Sequence, residues 1–489
     1  MKKILVMLFI TAIYSCSKDE DLSLTKTVDP DGSADVEVQD FMWKAMNFWY
    51  FWQENVDDLA DDRWENTETG RAAYTAFLDS DDSPADFFTN KLQYIEDRFS
   101  FFNADYRELT NSLAGISKSN GLEFGLVRFQ DSDELFGFVR YIVPNSNASD
   151  ADIQRGDLFT GVDGQTLSLS NYESLLFGTN ETYTLNMAEF SNGSVVPNEI
   201  EVTLTKEEAL AENPILISKS FEIGGENIGY IMYNQFTNEY DDDLFAAIEA
   251  LKTAGITNLV MDLRYNPGGS VNTTRLLASM IYGTNTSDVF LRKKYNNKLQ
   301  EQFSDSQLEV YFTDKVNGKT INSLGFSKLY VLTSSSSASA SELLINSLEP
   351  YLDVIQIGDV TRGKNEFSTT LVDDRENSYL YTPGRVNKIN PKNLWAIQPL
   401  IGRNENAEGF SDFTSGLQPD ILLKEDYGNL GILGDQNEPL LAKAIEAITG
   451  QTGKRDFTVK YPINIISSSK ENSLMSDKMI DDTVYDLEF

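Results

Sequence analysis

The sequence predicts a multidomain α/β protein, with a small helical domain first, a β-rich domain second and a parallel α/β core last. Three patterns carry this. Phe41, Met42, Ala45, Met46, Trp49 and Trp52 recur at helical spacing. From Gly115 to about Lys206 the period shortens to that of strands, with candidates at Phe124–Phe129, Phe136–Val143, Thr182–Met187 and Ile200–Leu204. Ile228–Tyr233, a helix marked by Leu244, Ile248 and Leu251, and the apolar Leu259–Leu263 then read as strand, helix and strand at the spacing of a parallel unit. A chain of 489 residues accommodates about three domains at about 150 residues each.

Composition narrows the chemistry. Lys and Arg number 40 against 76 Asp and Glu, a formal net charge of −36, so the surface repels phosphate backbones and nucleic-acid binding is not expected. There is no histidine. Ser-His-Asp and Cys-His catalytic sets and histidine-ligated metal sites are thereby excluded, and acid–base work falls to carboxylates, lysine, tyrosine or water. The one cysteine, Cys16, permits neither an internal disulfide nor a thiolate metal cluster.

Residues 1–15 read as a secretion signal: Lys2 and Lys3 precede the apolar Ile4–Ile13, which is too short to span a bilayer. Cys16 follows Ile13-Tyr14-Ser15 in a pattern that resembles a bacterial lipobox. The resemblance implies a lipidated Cys16 and a membrane partner reached through acyl chains. Ser17-Lys18-Asp19-Glu20-Asp21 resembles the lysine-plus-acidic signal of surface lipoproteins in Gram-negative bacteria. The implied location is the cell envelope, anchored to the outer membrane and facing the periplasm or the exterior. Residues 16–35 form a flexible tether. In the helical domain, 36–112, Ser83-Pro84 marks an N-cap and first helical position for a helix carrying Phe87, Phe88, Leu92 and Ile95.

The chemistry-bearing stretch lies in the core domain, 216–450. The apolar run Leu329–Leu332 leads through small residues into a helical pattern at Leu343, Leu344, Ser347 and Leu348. A serine therefore stands at a strand-to-helix turn. A second strand, Asp353–Ile357, delivers Lys364 after a short loop. A serine beside a lysine on such a frame forms a nucleophile and its base. Ser339 and Glu342 also read as a capping box, which starts a helix without any chemistry. Upstream, Asn266-Pro267-Gly268-Gly269 is expected to present backbone amides at the start of the helix carrying Leu276, Leu277 and Ile281, where they favour negative charge.

Two resemblances extend this reading. In the middle domain, 113–207, the run Gly156-Asp157-Leu158-Phe159-Thr160-Gly161-Val162-Asp163-Gly164 through Leu167 resembles the core of PDZ domains in bacterial proteases. It implies capture of a peptide C-terminus by strand addition, with Gly121-Leu122-Glu123-Phe124-Gly125 as the carboxylate loop. Asp262-Leu263-Arg264-Tyr265-Asn266-Pro267-Gly268-Gly269, Ser337-Ala338-Ser339-Ala340-Ser341-Glu342 and Thr361-Arg362-Gly363-Lys364, in that order, resemble the S41 serine peptidases, the C-terminal processing or tail-specific proteases. The likeness runs over about 36–450 and implies a ClpP/crotonase-like core.

The S41 resemblance implies Ser339 as nucleophile and Lys364, at the family's separation of 25 positions, as base. It implies an oxyanion hole from Ala340 and one of Gly268 and Gly269. Neither a metal nor an organic cofactor is implied, and the partners are polypeptide substrates with accessible C-termini. The family's glutamine four positions after the lysine is replaced by Ser368, so orienting the lysine falls to a shorter hydroxyl or to another group. That departure leaves a second reading: a catalytically inactive, lipid-anchored peptide-binding scaffold on the same fold. Residues 451–489 lie beyond the resemblance, and Lys460-Tyr461-Pro462-Ile463 reads as an extended segment.

Overall fold

The computed structural model describes residues 28–451, 456–471, 474, 476–482 and 484. The expected signal segment, Cys16 and the tether up to residue 27 lie outside the described residues. The first described helix, Glu37–Trp49, is buried on nearly every side, which its aromatic and sulfur-bearing face requires. Glu68–Leu78 follows, capped by Thr67. Ser83 Oγ accepts from the Asp86 amide at 3.1 Å and starts the short helix Pro84–Phe87. A single π turn, Phe88–Leu92, ends that helix, so the expected apolar face stops at Leu92, and Ile95 lies 93% exposed. Phe41, Trp49 and Phe88 share one hydrophobic core with Leu277, Leu343 and Phe367 of the α/β unit. The helical segment is thus built onto the unit that carries the site.

The middle segment is an antiparallel sheet in the order Ile465–Ser468, Leu122–Arg128, Leu135–Ile142, Leu158–Val162, Thr182–Ser191, Ser194–Thr205. It has a core of its own, including Phe124, Val139, Phe159, Leu185 and Leu204. Its outermost strand, Ile465–Ser468, comes from the C-terminal extension.

The α/β unit holds a six-stranded sheet in the order Ile215–Ile223, Glu226–Tyr233, Asn258–Asp262, Lys328–Thr333, Asp353–Gly358, Ile421–Leu422. All neighbours but the first pair run parallel. Buried parallel strands need apolar residues on both faces, and Leu259-Val260-Met261 and Leu329-Tyr330-Val331-Leu332 supply them. Three adjacent strands therefore deliver, at their carboxyl ends, Arg264–Gly269, Ser339 and Lys364, the position where open parallel sheets place their ligands. A second six-stranded sheet stands beside them, in the order Gly268–Ser270, Lys478–Ile480, Glu366–Ser368, Leu400–Glu405, Val289–Tyr295, Glu309–Tyr311. Among the described residues no helix is long and apolar enough to cross a membrane.

A buried ion network locks the floor of this arrangement. Arg264, fully buried, donates to Asp262 Oδ1 at 2.9 Å and to the two oxygens of Glu438 at 2.6 and 2.9 Å. Glu425 Oε1 accepts from Arg155 at 2.9 Å, from Arg264 at 3.2 Å and from the Tyr265 hydroxyl at 2.6 Å. Burial raises the Glu425 carboxyl, but Arg155 and Arg264 outweigh it and hold the group down at about 2. Truncating one member leaves its partners buried and uncompensated, at about 3–5 kcal/mol. Arg264→Ala should therefore lower the unfolding free energy by about that amount in chemical denaturation, whereas Arg63→Ala, at a half-exposed pair with Asp58, should change it by less than about 1 kcal/mol.

Candidate active site

Ser339 stands at the head of the helix Ala340–Leu348 with φ 62° and ψ −111°, a backbone region that a side-chain-bearing residue adopts at a cost of about 1–3 kcal/mol. The turn is held from three sides. Ser337 Oγ donates to the Leu263 carbonyl at 2.8 Å, the Ala338 amide to the Asn266 carbonyl at 3.1 Å, and Ser341 Oγ to the same carbonyl at 3.0 Å. Ser339 Oγ is buried and makes no hydrogen bond. The expected capping box is present in outline: the Ser339 amide donates to Glu342 Oε2 at 2.7 Å, while the serine hydroxyl faces the Glu342 amide without closing a hydrogen bond. A helix-starting serine whose hydroxyl is left over differs in this from an ordinary N-cap.

Glu342 does more than cap. Its Oε1 accepts from Thr361 Oγ1 at 2.5 Å and from the Gly363 amide at 2.6 Å, and its Oε2 accepts from the Lys364 amide at 2.9 Å. One carboxylate thus ties the serine turn to the lysine loop. Burial pushes this carboxyl up to about 7 against the pull of those donors.

Lys364 is fully buried. Desolvation lowers its amine from the ordinary 10.5 to about 8, with Asp477, Glu366, Asp97 and Glu342 pulling the other way. Its Nζ donates to the Asp477 carbonyl and lies 5.1 Å from the centre of the Phe99 ring. The amine is not hydrogen-bonded to Ser339. Arg362 is not among the groups that chiefly set the lysine's shift; it pairs with Glu471 and Asp477, each at 3.3 Å.

The glycines lie otherwise than their sequence context suggests. Gly268 and Gly269 form a short strand with Ser270, and the helix Val271–Ile281 begins only after it, capped by Ser270. The Gly268 amide donates to Asn266 Oδ1 at 2.9 Å. A Cβ on Gly268, at φ 111°, would stand 2.7 Å from Ser339 Cβ and 2.3 Å from the Lys478 carbonyl oxygen. A Cβ on Gly269, at φ 136°, would meet the Phe236 carbonyl oxygen at 2.0 Å. Both positions need glycine, and the strand passes directly beside the serine. Ala340 is the first residue of the helix, where backbone amides have no intrahelical acceptor.

Ser368 makes no hydrogen bond to Lys364. Its hydroxyl donates to the Met479 carbonyl at 3.3 Å and accepts from Gln398 Nε2 at 3.1 Å. The expected carboxylate loop is a turn only at Gly121; Leu122, Glu123, Phe124 and Gly125 belong to the strand Leu122–Arg128. Their amides are engaged, Leu122 with Asn120 Oδ1 at 3.0 Å and Phe124 with Ser469 Oγ at 2.9 Å. Sequence reasoning missed Phe99, Asp477 and the tying role of Glu342. The S-x-x-E spacing was the one available signal for Glu342, and it points to a cap alone. Among the described residues there is no group of three or more Cys, Asp or Glu that could hold a metal ion.

Comparison with known proteins agrees with this architecture. Residues 227–398 match the model of peptidase family S41, and residues 37–101 match that of the peptidase S41 N-terminal domain. The carboxyl-terminal-processing protease of Synechocystis sp. is 27% identical over 222 residues, 45% of this chain and 47% of the relative. That of Picosynechococcus sp. is 26% identical over 269 residues, 53% of this chain and 57% of the relative. The chain thus spans about half the length of these relatives. The crystal structure of a protein assigned to the S41 proteases, from Bacteroides fragilis, superposes with a TM-score of 0.63 at 24% identity, covering 87% of this chain and all of the other, which speaks for the fold. Residues 227–398 and 37–101 are thus similar to the S41 peptidase domain and its N-terminal domain, and the chain is similar to carboxyl-terminal-processing proteases over about half of their length.

Glu342→Ala would leave three buried amides and the Thr361 hydroxyl without their acceptor, at about 1–3 kcal/mol for each group left unsatisfied. The variant should lose at least about 2 kcal/mol in urea denaturation, and any folded fraction should react with serine-directed reagents at a changed rate, because the Ser339 turn loses its link to the Lys364 loop.

Proposed function

We propose that this protein is a serine endopeptidase acting through Ser339 and Lys364. The observation that carries the reading is the Ser339 turn itself: a strained residue at a helix start, its hydroxyl buried without a partner beside Gly268, one carboxylate away from a buried lysine. Ser339 Oγ attacks the substrate carbonyl carbon. Its proton passes to neutral Lys364 Nζ, and the carbonyl oxygen takes up negative charge. The amides of Ala340 and Gly269 stabilise that oxygen, since the Gly268 amide already serves Asn266. Collapse expels the amine, which receives the proton from Lys364, and leaves an ester on Ser339. Water, deprotonated by Lys364, then hydrolyses the ester and frees the serine.

Substrates are polypeptides with accessible C-termini, and the middle domain acts as a PDZ-like reader of them. In support, a cavity of about 630 Å³ lies against the start of the strand Leu122–Arg128, lined among others by Leu122, Phe124, Leu176, Phe177 and Tyr183. Lipidation of Cys16 anchors the enzyme in the cell envelope, at the outer membrane. The inactive scaffold loses ground because the serine turn retains its strain and the lysine its burial, and the Asp477 carbonyl holds the amine in place of Ser368.

Ser339→Ala and Lys364→Ala should each abolish cleavage of an unfolded polypeptide with an apolar C-terminus while leaving circular dichroism unchanged. Lys364 titrates near 8, so the neutral base accumulates as pH rises through that value. The wild-type kcat/KM should climb about tenfold per pH unit below 8 and level off above it. A flat profile from pH 6 to 9 would remove Lys364 as the base.

A further inference from the structure

The C-terminal extension occupies both places where a peptide would bind. On the middle domain, Ile465 pairs with Val127, Ser467 with Leu126 and Ser468 with Gly125, antiparallel. The Phe124 amide donates to Ser469 Oγ at 2.9 Å, and the Ser469 amide to the Phe124 carbonyl at 3.1 Å. The added strand runs toward Gly121, the direction in which a strand-adding peptide leads its C-terminus to the head of the accepting strand. Lys470 then pairs with Glu212 at 2.6 Å.

From there the extension reaches the cleft. Glu471 and Asp477 pair with Arg362, and the Asp477 carbonyl accepts from Lys364 Nζ. Lys478, Met479 and Ile480 pair in parallel with Gly268, Gly269 and Ser270, and Ile480 also with Ser368. The Lys478 carbonyl oxygen and Ser339 Oγ both lie within 3.0 Å of the point a Cβ on Gly268 would take. Beyond it, Asp481 pairs with Lys293 at 2.7 Å, and Asp482 accepts from Ser270 Oγ at 2.6 Å and the Asn272 amide at 3.0 Å. Docking also carries a cost: the Lys478 side chain is buried with its Nζ 3.5 Å from the centre of the Phe101 ring, and burial together with Lys364 disfavours its charge.

On the ground of the peptidase reading above, we infer that segments 463–471 and 476–482 are the protein's own occupant of its peptide path. Docked, they cover Ser339 and engage Lys364, and a substrate strand enters only when they leave. The glycine strand that borders the serine and the edge of the middle domain's sheet are then shared between extension and substrate, each added as one strand. Activity in the full chain is set by the undocked fraction, since a site competent for only part of the time binds correspondingly less well.

The test uses full-length protein and two variants, Asp481→Arg, which sets a second cation against Lys293, and Met479→Asp, which charges a buried side chain of the docked strand. Two rates are measured: labelling of Ser339 by a fluorophosphonate, and turnover of the unfolded polypeptide. Both should rise at least tenfold in the variants, and a synthetic peptide of residues 476–482 added in excess should lower them again. Folded variants that label and cleave no faster than wild type overturn the occupant while leaving the peptidase reading standing. Faster labelling without cleavage in any form upholds the occupant and overturns the peptidase reading. Should both variants fail to fold, hydrogen exchange of the wild type decides. Amides of 478–480 exchanging well ahead of Leu329–Leu332 uphold the proposal, and exchange only with global unfolding overturns it.

Discussion

The Glu342 carboxylate is the joint on which the site depends. It takes the amides of Ser339, Gly363 and Lys364 and the hydroxyl of Thr361. Those four donors come from two loops at the ends of adjacent parallel strands, and nothing in either loop's own sequence requires them to meet. A buried acceptor with two oxygens and no competing water makes them converge, because each donor left unpaired in that interior would cost free energy. The serine's positive φ and its unpartnered hydroxyl follow from this: its amide is drawn toward Glu342, and the side chain is left facing the glycine strand.

Burial then sets the chemistry that the joint has positioned. The desolvation that makes Glu342 a demanding acceptor is shared by Lys364 and lowers its amine to about 8. Beneath the turn, Glu425 is the opposite case: Arg155 and Arg264 together outweigh its burial and hold it ionised at about 2, while burial raises the Asp262 carboxyl in spite of Arg264. A rigid charged floor under a lysine whose charge is disfavoured is a consistent division: the floor fixes the strand ends, and the site above it keeps a group poised to exchange protons.

Much of the fold was readable in the pattern of apolar residues. The strands around Leu259 and Leu329 and the helix after Ser339 are each specified by local runs whose periodicity survives in the folded chain. Ser339 and Lys364 were readable for the same reason, as they sit in compact motifs at strand ends. Ile95 continued a helical pattern that a π turn at Phe88–Leu92 cut short. The glycines at 268 and 269 looked like the opening of a helix. Phe236 on one side and Lys478 on the other draw them into a sheet instead, and neither neighbour is near in sequence. The PDZ resemblance implied a carboxylate loop at Gly121–Gly125, yet four of the five residues pair along a strand.

By itself the sequence determined the α/β class, the absence of histidine chemistry, and the serine and lysine whose spacing carries the S41 resemblance, since these rest on composition and on contacts within a few residues. Tertiary structure alone decided the rest. It left Ser339 Oγ unpartnered, bonded Ser368 to Gln398 and Met479, and sent the C-terminal extension through the sheet edge and the cleft. Each of these outcomes depends on pairing between segments tens to hundreds of residues apart, where the partner of a backbone amide is fixed by which strand arrives beside it and not by the residues on either side.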